Sequence, residues 1–259
     1  MQKKKYVLLL VCMFLFVAFG GEVNAKKSDT AGTGCADLAA AFSYPDTTLT
    51  SVTSQAAGPV TVSGIVYNLP DHCVVQGKMN ERTGPIDSMP YAIGFEMRLP
   101  ANWNGRFFYQ ANGGIDGSVV PAYGTGLGGG PTSVALQKGF AVISSDAGHQ
   151  SALPFFGIDP QARIDYGYNA VAQLTPMAKS LIETYYGKKP YKSYFSGCSN
   201  GGRHAMVAAS RYADQYDGIL AGNPGFNLPQ AAVSQLWGAQ QYYIYKHKSP
   251  LELNKICIG

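Results

Sequence analysis

Residues 194–206 read YFSGCSNGGRHAM, and no other stretch constrains the fold as tightly. An apolar pair, Tyr194-Phe195, runs into Gly197-Cys198-Ser199-Asn200-Gly201, and a helix-compatible segment follows. Gly-X-Ser-X-Gly between a strand and a helix implies a sharp turn that projects the serine hydroxyl above a sheet. The two glycines leave room for the backbones to approach. Ser199 is therefore a candidate nucleophile. The amide of Asn200, at the start of the helix, is a candidate donor to the oxyanion of a tetrahedral intermediate. The competing reading is a plain turn with a capping serine.

The surrounding pattern fits an α/β architecture. YAIGFEMRLP sets Ile93, Phe95, Met97 and Leu99 against Ala92, Gly94, Glu96 and Arg98, which predicts a half-buried strand. RFFYQ (106–110) predicts a second strand, ending in the glycine-rich ANGGIDG. FAVISS (140–145) is a continuous apolar run of the kind found in parallel sheets. From 162 to 186, Val171, Leu174, Ala178, Leu181, Ile182 and Tyr185 recur at helical spacing, with Gly187 as the stop. Pro176 is expected to kink or divide that helix. A short strand over 194–196, a helix over 200–213 and a strand over 218–222 complete the series. Alternating strands and helices predict a mostly parallel sheet with helices on both faces. Residues 26 to about 90 are read as less regular, wrapping the sheet's first edge. A second oxyanion donor should come from the loop after an earlier strand, where Gly113 and Gly114 stand.

The N-terminus reads as a targeting segment. MQKKKY is basic, VLLLVCMFLFVAF is apolar, and VNA at 23–25 fits a cleavage site. The run is short for a membrane span, and no basic stop-transfer cluster follows it. Residues 1–25 are thus expected to be a signal peptide rather than a membrane anchor, with the mature chain exported, to the periplasm or beyond. Cys12 leaves with the peptide. Cys35, Cys73, Cys198 and Cys257 remain in an oxidising setting, and sequence alone leaves three pairings open. No CxxC or HxxxH spacing marks a metal site. The net charge of +4 is small and forms no basic stripe for nucleic acid.

The base and acid are harder to place. Hydrolases of this architecture order their triad as serine, then Asp or Glu, then His. Only His204 and His247 follow Ser199. His204 lies on the nucleophile's own helix, and His247 stands in YIYKHKSP with no strand before it. His149 precedes the serine and reads as a loop-stabilising residue. His72, beside Cys73, reads as structural. Only one strand follows the elbow, so the acid and base are expected beyond residue 259.

The segments LPDHCVVQG, FEMRLPANWNGRFFYQANGGIDG, DPQARIDYGYNAV, KSYFSGCSNGGRHAM and YDGILAGNPGFNLP together resemble the tannase and feruloyl esterase family over residues 35 to about 235. The resemblance implies a secreted serine esterase with an α/β-hydrolase core and a large lid, cleaving esters of aromatic acids. By position, Ser199 matches the nucleophile, and Asn200 and Gly114 match the oxyanion amides. Cys35 and Cys73 match a disulfide near the mature N-terminus. Cys198 matches a cysteine whose partner adjoins the catalytic histidine. Cys257 matches the first cysteine of the lid, before an aspartate-rich calcium loop. Ile258-Gly259 stand where that loop would begin.

The implied domain plan is a signal peptide over 1–25, the N-terminal part of the catalytic domain over 26–225, and the start of a lid over 226–259. No cofactor is expected in the chain itself, since the family's calcium belongs to the lid. The expected partner is a small aromatic ester, with neither nucleic acid nor, after signal cleavage, a membrane. Without its acid and base the 259-residue chain is expected to be inactive. The alternatives are a non-catalytic polypeptide, or a general esterase on the same fold.

Overall fold

The computed structural model describes residues 32–125 and 133–245. The signal-peptide segment, His247, Cys257 and the last residues lie outside the described residues. A short helix, α1 (Leu38–Ala41), precedes four strands, β1 (Thr47–Gln55), β2 (Gly58–Val62), β3 (Ile65–Leu69) and β4 (His72–Thr83). Next come β5 (Pro90–Pro100), β6 (Arg106–Ala111) and β7 (Ala141–Ser145). Helices α2 (Pro160–Ile164) and α3 (Ala170–Tyr186) lead to β8 (Lys192–Cys198) and α4 (Asn200–Arg211). Strand β9 (Gly218–Gly222) and helix α5 (Leu228–Tyr245) follow.

Seven strands form one sheet in the order β1-β4-β5-β7-β6-β8-β9, and β2 and β3 pair separately as a hairpin. The β7-β6-β8-β9 half is parallel. The β1-β4-β5-β7 half is antiparallel. Residues 26 to about 90 are therefore not an irregular wrap: β1 and β4 extend the main sheet by two strands. The signal in β4 is a period of two, with Cys73, Val75, Gly77 and Met79 buried. In β1 the alternation is muted, because an edge strand rich in Thr and Ser faces solvent along much of its length.

The stripe predicted on the long helix is real. Val171, Leu174, Met177, Ala178, Leu181 and Ile182 are buried on α3 and meet Phe107, Tyr109, Ile143 and Phe195 from the sheet. Each large apolar side chain so buried contributes about 1.5–3 kcal/mol. Ala205 and Ala208 bring α4 into the same cluster. On the opposite face Val142 packs with Tyr67 and Leu69 of the hairpin and with Ala122, Val134 and Leu136 of the 118–140 connection.

Two local expectations are corrected. Strand β5 is buried on both faces from Tyr91 to Met97. Its polar residues are satisfied in place: Arg98 Nε donates to Glu96 Oε1 at 2.7 Å, and the Ala122 amide donates to the same oxygen at 3.0 Å. Two-sided cover, not solvent, thus explains the alternation. Pro176 lies inside the continuous helix α3, and the break falls upstream, in a π-helical turn over Asp165–Asn169. Gly187, at φ 70°, closes α3 as expected.

Candidate active site

Ser199 links β8 to α4 at φ 59° and ψ −119°, a left-handed backbone that a non-glycine residue adopts only under constraint. The constraint is visible on both sides of the turn. A Cβ at Gly197 would lie 2.4 Å from the Gly201 carbonyl oxygen. One at Gly202 would lie 2.4 Å from the Gly222 oxygen. Ser199 N–H donates to Gly222 O at 3.0 Å, and Ser199 O accepts from the amides of Arg203 and Gly225, both at 3.0 Å. The elbow is thus pinned to β9 below and to the chain leaving β9 beyond. Ser199 itself is exposed, whereas Asn200 is buried.

The oxyanion candidates sit on facing segments. Asn200 opens α4, where the first backbone N–H groups have no intrahelical partner. Gly114, at φ 67°, lies in the exposed turn after β6, and a Cβ there would meet nothing within 4 Å. Among the described residues its N–H has no hydrogen-bond partner. The neighbouring Gly113 would place a Cβ 3.8 Å from the Cys198 oxygen, so this turn runs alongside the elbow.

A buried polar network lies around these two segments. Asn200 Nδ2 donates to Asp116 Oδ2 at 2.6 Å, and Asn200 Oδ1 accepts from Arg203 Nε at 2.7 Å and Tyr166 Oη at 3.0 Å. Arg203 Nη1 and Nη2 donate to the Gly167 and Tyr166 carbonyls, at 3.2 and 3.1 Å, in the π-helical turn. That turn, whose wider ladder leaves carbonyls to be satisfied elsewhere, carries Tyr166 to the site. His204 Nε2 lies 2.8 Å from Asp116 Oδ2. Sequence reasoning missed Asp116, Tyr166 and Arg203. The DPQARIDYGYNAV segment pointed only to a family, and spacing says nothing of a contact 84 residues long.

Among the described residues no histidine is placed as the serine's base. His204 is buried beneath the elbow with Nε2 committed to Asp116; burial lowers its pKa, against the raising effect of Asp116. His149 is buried with its ring stacked 3.7 Å from Phe156 and the Ser151 and Ile115 backbones beside it, and among the described residues neither ring nitrogen makes a well-formed hydrogen bond. Its pKa too is lowered, chiefly by burial. His72 Nδ1 sits 2.7 Å from Pro70 O and Nε2 2.9 Å from Arg98 Nη1, in the sheet and away from Ser199. Among the described residues Ser199 Oγ has no hydrogen-bond partner, and no cluster of three His, Cys, Asp or Glu side chains could hold a metal.

Cys35 and Cys73 are joined by a disulfide, with Cα atoms 5.6 Å apart, which ties the N-terminal segment to β4. Cys198 is half-buried beside Ser199 and has no disulfide partner among the described residues. Beside the elbow runs a groove of about 450 Å³ lined by Tyr166, Arg203, Met206, Phe226 and Leu228. A second groove of about 490 Å³, along Phe108, Phe140, Tyr194 and Leu220, contains none of the candidate residues.

A family model described as tannase and feruloyl esterase matches residues 73–257. Mono(2-hydroxyethyl) terephthalate hydrolase of Piscinibacter sakaiensis is 45% identical over 193 residues, covering 71% of this chain and 31% of that protein. A probable feruloyl esterase B-2 of Aspergillus flavus is 37% identical over 138 residues, covering 51% of this chain and 24% of that protein. The crystal structure of feruloyl esterase B from Aspergillus oryzae superposes with a TM-score of 0.66 at 27% identity, over 80% of this chain and 39% of that one. The fold is accordingly of the α/β-hydrolase type. The chain spans about a third of the length of the curated relatives it matches. With a family model covering most of its described residues, the chain belongs to the tannase and feruloyl esterase family.

Proposed function

We propose that this chain carries the nucleophile and oxyanion hole of an exported serine esterase that cleaves esters of aromatic carboxylic acids. The observation that carries the reading is the backbone of Ser199, held at φ 59° and ψ −119° between a parallel strand and a helix. A strained, exposed serine with glycines packed beneath it is what a nucleophile elbow requires. In the proposed reaction, Ser199 Oγ loses its proton to a histidine and attacks the ester carbonyl carbon. The carbonyl oxygen becomes an oxyanion facing the amides of Asn200 and Gly114. Collapse expels the alcohol, which takes the proton from the histidine and leaves an acyl-enzyme on Ser199. Water then releases the acid by the same steps.

The histidine and its orienting Asp are assigned to polypeptide outside the described residues, since His149 and His204 are both buried and turned to other partners. The domain plan proposed above, with a catalytic segment over 26–225 and a lid beginning at 226, accords with α5, none of whose residues is buried. The groove along Tyr166, Met206, Phe226 and Leu228 offers an aromatic acyl group an apolar wall next to the elbow. The relatives' names, a terephthalate ester hydrolase and feruloyl esterases, support the aromatic acid. Assay of the complete protein on ferulate, gallate and terephthalate esters tests this reading, with simple acetyl and butyryl esters as comparators. A preference for short aliphatic esters would favour a general esterase instead.

A further inference from the structure

We infer that Asp116 is the positioning residue of this site: its buried carboxyl group locks the turn that carries one oxyanion amide to the helix that carries the other. The inference rests on the proposed roles of Ser199, Asn200 and Gly114. Three independent features point to it.

The first is the hydrogen bonding. Asp116 Oδ2 accepts from Asn200 Nδ2 at 2.6 Å and lies 2.8 Å from His204 Nε2. Asn200 is the first residue of α4 and His204 the fifth. One oxygen thus grips α4 at two points a turn apart, which fixes the rotation of the helix as well as its distance. With the hydrogen on Nε2, His204 donates to Asp116. Arg203 Nη2, 3.1 Å from the same nitrogen, then has the Tyr166 carbonyl as its acceptor.

The second is the backbone. Asp116 sits at φ 57°, one of the few non-glycine residues in the left-handed region, and follows Gly114 at φ 67°. Asp116 N–H closes the turn onto Gly113 O at 3.4 Å, and Gly117 N–H donates to Asp146 O at 3.1 Å. Glycine would occupy the position without strain. A carboxyl group there is explained by what it holds.

The third is burial. The Asp116 side chain is 2% exposed and that of His204 5%. A carboxyl group so placed is tolerated only where its acceptor capacity is used, and loss of its partners would leave it unpaired. The side-chain oxygen of Asn200 is also engaged, by Arg203 Nε and Tyr166 Oη, so its side chain, and with it the start of α4, has no freedom to swing. The proposed oxyanion hole therefore spans two segments 84 residues apart, whose tips are bridged by the Asp116 side chain. Stabilising an oxyanion requires donors fixed before the charge appears, and tolerances there are tight.

Replacement by Gly and by Asn separates this role from that of a plain turn residue. Asp116→Gly removes the backbone strain, so a turn residue would be replaced with no loss. Positioning predicts that kcat of the complete protein falls by about 10- to 100-fold in Asp116→Gly, with KM within about twofold. Asp116→Asn, which keeps an acceptor oxygen and tolerates positive φ, should recover most of the rate. Amide exchange read by mass spectrometry should accelerate over 199–205 in Asp116→Gly but not in Asp116→Asn, with β5 and α3 unchanged. An Asp116→Gly enzyme with unaltered kcat and unaltered exchange over 199–205 would overturn the inference. So would a loss of rate that merely follows a fall in melting temperature. If the complete protein hydrolyses no ester, or Ser199→Ala retains the activity, the proposed function fails, while the exchange measurement still reads the coupling through Asp116.

Discussion

Gly201 passes so close beneath Ala111 that a Cβ on it would lie 2.5 Å from the Ala111 carbonyl oxygen, and 2.9 Å from that of Asn112. The helix after the candidate nucleophile and the strand before the oxyanion turn are therefore in backbone contact. No larger residue fits without separating them. Gly201→Ala should cost about 1–3 kcal/mol of stability, as overpacking does in a close-packed interior. Urea titration followed by tryptophan fluorescence and by circular dichroism measures it; an unchanged midpoint would mean that the two segments part freely.

Asp146 carries a pH-dependent liability. Its side chain is buried, with Oδ1 accepting from the Gly94 and Gly148 amides, each at 2.9 Å. Burial pushes its pKa up from 3.8 to about 7, although both amides pull the other way. Between those values the folded protein holds a proton that the unfolded chain has released. This group's contribution to stability is therefore greatest at low pH and declines as the pH rises to about 7. Asp146→Asn keeps the acceptor and removes the charge. The variant should match wild type near pH 4 and exceed it by about 2–4 kcal/mol at pH 8. Thermal or urea melts across that range would show a constant difference if the charge were already satisfied in the fold.

The Cys35–Cys73 bridge closes a separation of 38 residues onto a cysteine that is 1% exposed in the core. The chain-entropy model gives about 4 kcal/mol for a loop of this length. A Cys35→Ala, Cys73→Ala double variant should lose stability of that order. Non-reducing peptide mapping of exported protein should recover the linked pair, and two free thiols would contradict it.

Calcium should not bind tightly to the described part of the chain. The ion takes six to eight oxygens, and no cluster of three acidic or other ligating side chains occurs among the described residues. Calorimetry with added calcium should show no micromolar site. Finding one would contradict this expectation.

Much of the parallel half of the sheet was legible before any coordinates. The elbow declared itself because Gly-X-Ser-X-Gly leaves only one way to pass from strand to helix. The α3 stripe and strands β5 to β9 declared themselves through their apolar periods. Strand β1 did not, because TTLTSVTSQ at a sheet edge has little apolar surface to alternate. The π-helical turn over 165–169 has no local code and is fixed by its neighbours, Arg203 above all. Asp116 was invisible for a similar reason. The sequence shows it as one residue of a glycine-rich turn, and its meaning lies in two contacts made across the fold.

Ser199 is proposed as a nucleophile whose base and acid lie outside the described residues. Labelling with a fluorophosphonate probe, read by peptide mass, tests it most directly. A serine without an adjacent base reacts poorly near neutral pH. The complete protein should be labelled at Ser199, Ser199→Ala should abolish the label, and residues 26–245 expressed alone should stay unlabelled. Robust labelling of Ser199 in that shorter chain, lost on His149→Ala or His204→Ala, would contradict it and identify a base within the fold described here.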